Sequence, residues 1–594
     1  MDEAPKKSVK ILFIFLILFL CFAIFASIVY SKIVISRKIP TLVVSKTDVA
    51  VRGSIYSQDG FELASSKKLY KVSVNTESID PDKKQLFINL FSIYSNIPKE
   101  IISEKIAQKG YIVISYNISP NTAANLRQLN SKLLAYDVFR EYEDKNGRIV
   151  QKMGIDIEVS GVSRLYAYGT MLEPVIGYTK KIESGKITIV EGVKGVEKYR
   201  DKILSPKQDG TIKGERDIGF NIIQNKEAKT KDRQDGFDVQ LTIPLGLQKK
   251  VEQILDDAKK KYKSDEIVVG IMNPKTGEIL SLATTNRFDP KNIKKSDYSY
   301  LNVDAIELSY EPGSTIKPII YSILLDKNLI NPMQSIDLNH GVYRLGKYII
   351  RDDTIPAKNP VVEDVIIRSS NVGMIKLTQR LSGQEFYDGL KKFGFSEITG
   401  IDLPYEKNGL LPSVKLLSGE IYKASASYGY GLRTTFIQLL RAYGVFSNGG
   451  YLITPHLTQN LTAPNGDIYI PKIPPKQRVI TPVVAQKMQD TLIRVVTIGT
   501  GRPARVDGVV VGGKTGTARI AKEGKYGSLY NGSFFGFAQD GQNTYTIGVV
   551  AFGSHGSEDY YGGQTAAPIF KRIVELLKEE GYLQVKNNDA HQGK

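Results

Sequence analysis

Ser314 and Lys317 lie three residues apart in Tyr310–Pro318, YEPGSTIKP, between a Pro-Gly break and a second proline. A hydroxyl and an amine at that spacing share one face of a helical turn, the arrangement a nucleophile and its base require. Pro318 has no N–H and crowds the carbonyl four residues back, so a helix is expected to begin close to Ser314. The start of a helix offers free N–H groups and a positive dipole end to a developing oxyanion. The competing reading is a serine that only caps the helix. Ser65 and Lys68 repeat the same spacing in SSKK.

Two further elements separate these readings. Ser369-Ser370-Asn371 opens the helical run IIRSSNVGMIKL, and Lys514-Thr515-Gly516-Thr517 ends the strand-like VVVGGKTGTA. Each pattern is cheap alone, since Ser115-Tyr116-Asn117, Ser119-Pro120-Asn121 and Lys275-Thr276-Gly277 also fit. Only Ser314, Ser369 and Lys514 follow one another within one region on a helix start, a helix start and a strand.

The elements that must position them begin near Gly236. FDVQLTI reads as a strand, GLQKKVEQILDDAKKKY as an amphipathic helix, and DEIVVGIMNPKTGEILSLATT as strand, turn and strand. Helical patterns dominate from about 314 to 445; strands return in GVVVGGKTGTARIA, NGSFFGFAQD and TYTIGVVAFG, and AAPIFKRIVELLKEEG closes with a helix. Strands at both ends with helices between predict one α/β region, 236–581, whose first and last strands share a sheet. Upstream, RGSIYSQDGFELASS reads as a hairpin turning at Asp59-Gly60, and Asn146-Gly147 marks a second hairpin. Residues about 70–150 mix both patterns, while KGERD and NKEAKTKDRQDG suit exposed loops.

A length of 594 residues predicts more than one domain, and 42% apolar with 24% charged residues is a globular composition. The net charge of +18 suits an anionic partner, but no nucleic-acid-binding module is visible. The single cysteine, Cys21, precludes an intrachain disulfide, and the four histidines form no metal signature. Ile11–Tyr30 carries 20 residues without a charge, which as a helix would span about 30 Å, the thickness of a bilayer core. Its length and the spacing of Ala23 and Ala26 argue for an uncleaved anchor rather than a signal peptide. Lys6, Lys7 and Lys10 precede it and Lys32, Arg37 and Lys38 follow it, so charge alone does not orient it. The expected plan is a tail over 1–10, an anchor over 11–33, an N-terminal module over 40–235, the α/β region over 236–581 and a loose tail over 582–594.

Ser-x-x-Lys, Ser-x-Asn and Lys-Thr-Gly in this order resemble the penicillin-binding proteins. RGSIYSQDGFELA, SRLYAYG, EGVKGVEKYRDKIL, MNPKTGEILSLAT, ASYGYGLRTTFIQLLRAY and YYGGQTAAPIF are similar, in order, to further segments of the class B members, the monofunctional peptidoglycan D,D-transpeptidases. The resemblance covers about 50–62 and 160–580, leaving 65–150 unplaced. Ser57-Gln58, Ala167 and Ile243-Pro244 depart from the family's usual residues, outside the catalytic triplets. Glu-Pro before Gly-Ser, the asparagine in Ser-Ser-Asn and the threonine in Lys-Thr-Gly lean toward the septal, cell-division branch, with the elongation branch as the alternative.

The resemblance implies an α/β (α+β) transpeptidase fold, a central antiparallel sheet flanked by helices, joined to an elongated mixed pedestal and one transmembrane helix. It implies that Ser314 attacks a stem peptide ending in D-Ala-D-Ala, with Lys317 as base, made neutral by burial and by Lys514, and Ser369 as proton relay. Asn371 would hold the stem-peptide amide, and Lys514, Thr515, Gly516 and Thr517 the terminal carboxylate. Backbone N–H groups of Ser314 and Thr517 would form the oxyanion hole. β-Lactams are expected to acylate the same serine. No metal or cofactor is implied, and His340, His456 and His555, with no motif around them, are read as structural or surface residues. The implied location is the bacterial cytoplasmic membrane, single-pass, with the catalytic domain outside at the division site. Implied partners are a membrane glycan polymerase of the SEDS family and other divisome proteins, not nucleic acid. A β-lactam-hydrolysing or β-lactam-sensing relative is the remaining alternative.

Overall fold

The computed structural model describes residues 4–31, 43–143, 147, 149–150, 152–184, 187–215, 222–223, 227–354, 356–522, 525–555 and 561–584. Residues 32–33 of the expected anchor, Asn146 of the second hairpin, parts of KGERD and NKEAKTKDRQDG, and most of the C-terminal tail lie outside them. Two compact units are present: 1–50 with 208–234, and 51–207 with 235–594. The first holds the helix Ala4–Tyr30 and a three-stranded antiparallel sheet of Val43–Asp48, Gly210–Glu215 and Lys229–Lys231. Val9–Tyr30, with mean hydropathy 3.2, is long and apolar enough to cross a membrane.

In the second unit the expected Asp59-Gly60 hairpin forms. Ile55–Tyr56 pairs antiparallel with Glu62–Asn75, and Gly60 takes the positive φ of 83° that the turn requires. Glu62–Asn75 is the spine of the pedestal, flanked by Tyr111–Ile118 and Ile155–Tyr166. The stretch that resisted placement folds as three helices, Lys84–Ser95, Lys99–Ile106 and Pro120–Ala135, around a separate core of Phe87, Phe91, Leu126 and Phe139. Tyr142–Glu143 pairs antiparallel with Ile149–Val150.

One expectation is corrected here. The FDVQLTI strand, Asp238–Leu241, does not join the catalytic sheet. It lies parallel to Ile55–Tyr56 and antiparallel to Thr458–Thr462, within the pedestal sheet. The pedestal is thereby stitched to the catalytic region by backbone hydrogen bonds, because a strand's own pattern fixes its conformation but not its neighbour.

The catalytic sheet has five antiparallel strands in the order Ile279–Thr284, Glu266–Met272, Thr544–His555, Lys525–Gln539 and Val510–Lys522. The second strand of the region, rather than the first, shares the sheet with the last. All seven residues of Glu266–Met272 are buried, which explains why Ile267–Met272 lacks the polar alternation of a half-exposed strand. Helices Leu245–Tyr262 and Ala566–Glu579 cover one face through Val251, Leu255, Phe570 and Ile573. Phe436–Ser447 covers the other face, its Phe436 and Tyr443 rings against Phe535. The segment expected to be mainly helical also carries a hairpin, Val342–Leu345 with Tyr348–Arg351, which bears on the site below.

Candidate active site

Ser314 lies in a 3₁₀ turn, Gly313–Ile316, that runs directly into the helix Lys317–Asp326, with Pro318 in its first turn. The helix therefore begins where the proline requires it. Ser314 is not its cap: the residue before the turn is Pro312, with no side-chain capping bond. The turn is fixed from beneath by Thr315, whose hydroxyl donates to the Pro312 carbonyl (2.7 Å) and whose carbonyl accepts from the Tyr443 hydroxyl (2.7 Å).

Two glycines bring this turn against the Lys-Thr-Gly strand. Gly313 has a φ of 55°, and a Cβ there would lie 2.8 Å from the Thr517 carbonyl oxygen. A Cβ on Gly516 would come within 2.5 Å of Ser533 Oγ and 2.7 Å of Thr315 Cγ2. No larger residue fits at either point without separating the two elements. Lys-Thr-Gly itself lies within the long strand Val510–Lys522 rather than at its end.

The third wall is the turn before the helix Asn371–Thr378. Ser370 caps that helix, accepting from the Gly373 N–H (2.8 Å), while Ser369 occupies the left-handed region at φ 60°. Lys317 Nζ reaches across to this turn, donating to the Ser369 carbonyl (2.7 Å) and to Asn371 Oδ1 (2.7 Å), with Ser369 Oγ at 3.3 Å. Carbonyl and amide oxygens only accept, so two of the amine's hydrogens are committed to them. A neutral amine then keeps its lone pair for a hydroxyl proton.

Burial sorts the site into a floor and a rim. Lys317 and Lys514 are both 0% exposed, whereas Ser314, Ser369, Asn371 and Thr517 are half-exposed. Burial pushes Lys317 down to about 7, with Asp352 and Asp353 pulling the other way. Burial, and after it the charge of Lys317, holds Lys514 well below the ordinary lysine range. Desolvation is the largest cause for both amines, and the repulsion between the two buried cations acts in the same direction. Lys514 Nζ donates to the Thr515 carbonyl (3.0 Å). Thr515 is itself buried, its hydroxyl 3.1 Å from that of Thr500. Thr517 Oγ1 accepts from the Gly562 N–H (3.0 Å), so its own proton remains for an anion in the groove.

The look-alike triplets lie elsewhere. Ser65 and Lys68 are on the pedestal strand, Ser115–Asn117 on another strand, and Ser119 caps the helix Pro120–Ala135. Lys275–Gly277 forms the turn between two catalytic-sheet strands. Sequence reasoning missed Asp352, whose carboxylate accepts from Ser370 and from the backbone of Asn371 and Val372. The available signal was the alternation in YRLGKYII, around a glycine turn, ending at Asp352-Asp353. It also missed Thr500, which no motif marks.

Two family models match the chain: the penicillin binding protein transpeptidase domain over residues 267–575 and the penicillin-binding protein dimerisation domain over 47–241. Stage V sporulation protein D of Bacillus subtilis is 30% identical over 565 residues, covering 90% of this chain and 79% of its own. The peptidoglycan D,D-transpeptidase FtsI of Buchnera aphidicola is 27% identical, covering 97% and 94%. Among solved structures, penicillin binding protein 2X of Streptococcus thermophilus matches with a TM-score of 0.74 at 20% identity, covering 91% of this chain and 81% of that one. A peptidoglycan synthetase from Bifidobacterium adolescentis matches at 0.69 and 21% identity, covering 92% and 98%. With a dimerisation domain preceding a penicillin-binding transpeptidase domain, and with relatives similar over nearly the full length, the chain belongs to the class B penicillin-binding proteins.

Proposed function

We propose that this protein cross-links peptidoglycan stem peptides through an acyl-enzyme on Ser314, with 236–581 as catalytic domain and 40–235 as pedestal. The observation that carries the reading is the buried Lys317 amine, depressed to about 7 and held by two acceptor-only oxygens beside the serine's turn. Ser314 Oγ attacks the penultimate D-Ala carbonyl and its proton passes to neutral Lys317. An Oγ–C bond forms, and backbone N–H groups of Ser314 and Thr517 stabilise the oxyanion; one such donor typically contributes about 10²–10³ in rate. The peptide C–N bond then breaks, and Ser369 relays the proton to the departing amine of terminal D-Ala. A second stem peptide's amine then attacks the ester carbonyl; its N–C bond forms, the Oγ–C bond breaks, and a proton from that amine passes to Ser314 Oγ by way of Lys317 as the cross-link forms. Asn371 positions the donor amide. Lys514, Thr515 and Thr517 bind the terminal carboxylate, whose arrival favours the charged form of Lys514.

The chain acts outside the cytoplasm from a single-pass anchor, at the septum, beside a glycan polymerase of the SEDS type and other division proteins. β-Lactams enter as mimics of D-Ala-D-Ala. Mass spectrometry after incubation with benzylpenicillin tests the nucleophile: one adduct on a peptide containing Ser314 is expected, and none in Ser314→Ala. An adduct persisting on the alanine variant overturns it. Rapid release of the adduct indicates a hydrolase; a stable adduct without cross-linking in a reconstituted polymerase assay indicates a sensor. A fluorescent fusion should gather at the septum; side-wall labelling supports elongation, and appearance only during spore formation aligns it with the Bacillus relative.

A further inference from the structure

We propose that Asp352 is a positioning residue for this reaction: it locks the Ser369–Asn371 turn so that the turn's oxygens hold the Lys317 amine. The inference rests on the reading of Lys317 as the base. Asp352 follows directly on the hairpin Val342–Leu345 and Tyr348–Arg351, and its N–H donates to the Gly341 carbonyl (2.9 Å) at the hairpin's start. One carboxylate oxygen accepts the N–H groups of Asn371 (2.6 Å) and Val372 (3.0 Å); the other accepts the Ser370 hydroxyl (2.6 Å). These are charge-assisted bonds at a helix N-terminus, where a carboxylate is best placed.

The bonds matter because of what lies just before them. Ser369 is left-handed at φ 60°, a conformation that a residue with a Cβ holds only when its surroundings impose it. On one side the N–H groups of Ser369 and Ser370 donate to Ile366 (3.2 Å) and Val365 (2.9 Å); on the other stands Asp352. The imposed conformation aims the Ser369 carbonyl at Lys317. Arg351, the neighbouring hairpin residue, accepts from Asn371 Nδ2 (3.1 Å), which leaves Oδ1 of the same amide to face Lys317. Both oxygens that grip the amine are therefore set by the end of this hairpin.

Asp352 also acts on Lys317 through charge. Among the described residues, the charged groups that act on Lys317 are Asp352, Asp353 and Lys514, and both carboxylates favour its ammonium. Asp353 is exposed and makes none of the bonds to the turn, so it supplies charge without the clamp. Replacing either aspartate by asparagine should make Lys317 lose its proton at lower pH. Only replacement of Asp352 should loosen the turn.

The test is the second-order rate of acylation by a fluorescent penicillin against pH, on the full-length protein in detergent. The variants are D352N, D352A, D353N and S314A, with thermal melting to confirm folding. D352N preserves the shape of the side chain while weakening the clamp and removing the charge. We expect its plateau rate to fall roughly ten- to a hundredfold, as for loss of charged hydrogen bonds, and its acid limb to move to lower pH. D353N should keep the plateau and move the limb alone. D352A should lose at least as much rate as D352N. A wild-type plateau in folded D352N, or a reduced plateau with an unmoved limb, overturns the proposal. S314A should remain unlabelled throughout; labelling of S314A brings down the underlying reading of the site instead.

Discussion

The pedestal buries the guanidiniums of Arg52 and Arg164 around the fully buried carboxylate of Glu197, whereas the catalytic groove buries the amines of Lys317 and Lys514 against carbonyl, amide and hydroxyl oxygens. Among the described residues, no carboxylate forms an ion pair with either lysine. Arg52 donates to Glu197 and Asp201, and Arg164 to Glu197 (2.6 Å) and to the Gly53 carbonyl (2.7 Å). Arginine does not deprotonate, so a buried arginine must be paired and then serves as a rigid joint. A buried lysine left without a counter-ion lowers its pKa instead and becomes a base. The first cluster joins pedestal elements through paired charges; the second, on the proposed reading, supplies the amine that accepts a proton.

The largest effect that would break this contrast is expected at Lys317. Lys317→Met should lower the rate of penicillin acylation by about 10³ or more while leaving the protein folded. It should also raise the melting temperature. A lysine whose pKa is about 7 when folded disfavours its ammonium in the native state, so stability rises with pH from there to the ordinary lysine range, and methionine removes the penalty. A methionine variant that melts far below the parent would contradict the view of an uncompensated charge.

Glu197→Ala should show the reverse pattern. It removes the carboxylate that pairs with Arg164 and leaves Arg52 with Asp201 alone, so about 3–5 kcal/mol of unfolding free energy should be lost in a urea titration. The molecules that remain folded should still be labelled at Ser314. Unchanged stability would remove the structural half of the comparison. The smallest effects belong to the look-alike motifs: Ser65→Ala and Lys275→Ala should each leave acylation within about twofold and stability within about 0.5 kcal/mol of the parent. A large loss of labelling in either would mean that motif order does not distinguish the site.

The triplets were legible because each carries its own local signal: Pro318 marks a helix start, a serine before a helical run marks a cap, and a buried apolar stretch marks a strand. The Asp59-Gly60 hairpin and the fully buried Glu266–Met272 were legible for the same reason. What the sequence withheld was partnership. Asp238–Leu241 was recognisable as a strand, yet its place beside Ile55–Tyr56 is a long-range choice that its pattern does not encode. Asp352 was equally hidden: a short hairpin within a mainly helical stretch swings it under a turn remote in sequence, and no spacing rule connects the two. The unpaired state of the lysines was also out of reach, since it depends on which groups the folded protein leaves out of contact.

On the proposed mechanism Ser314 loses its proton to a buried, neutral lysine. The most direct measurement is the wild-type acylation rate with penicillin as a function of pH. A lysine base predicts a rate that falls as pH drops through about 7, as Lys317 gains its proton. A rate that stays level from well above that pH to well below it would contradict the claim.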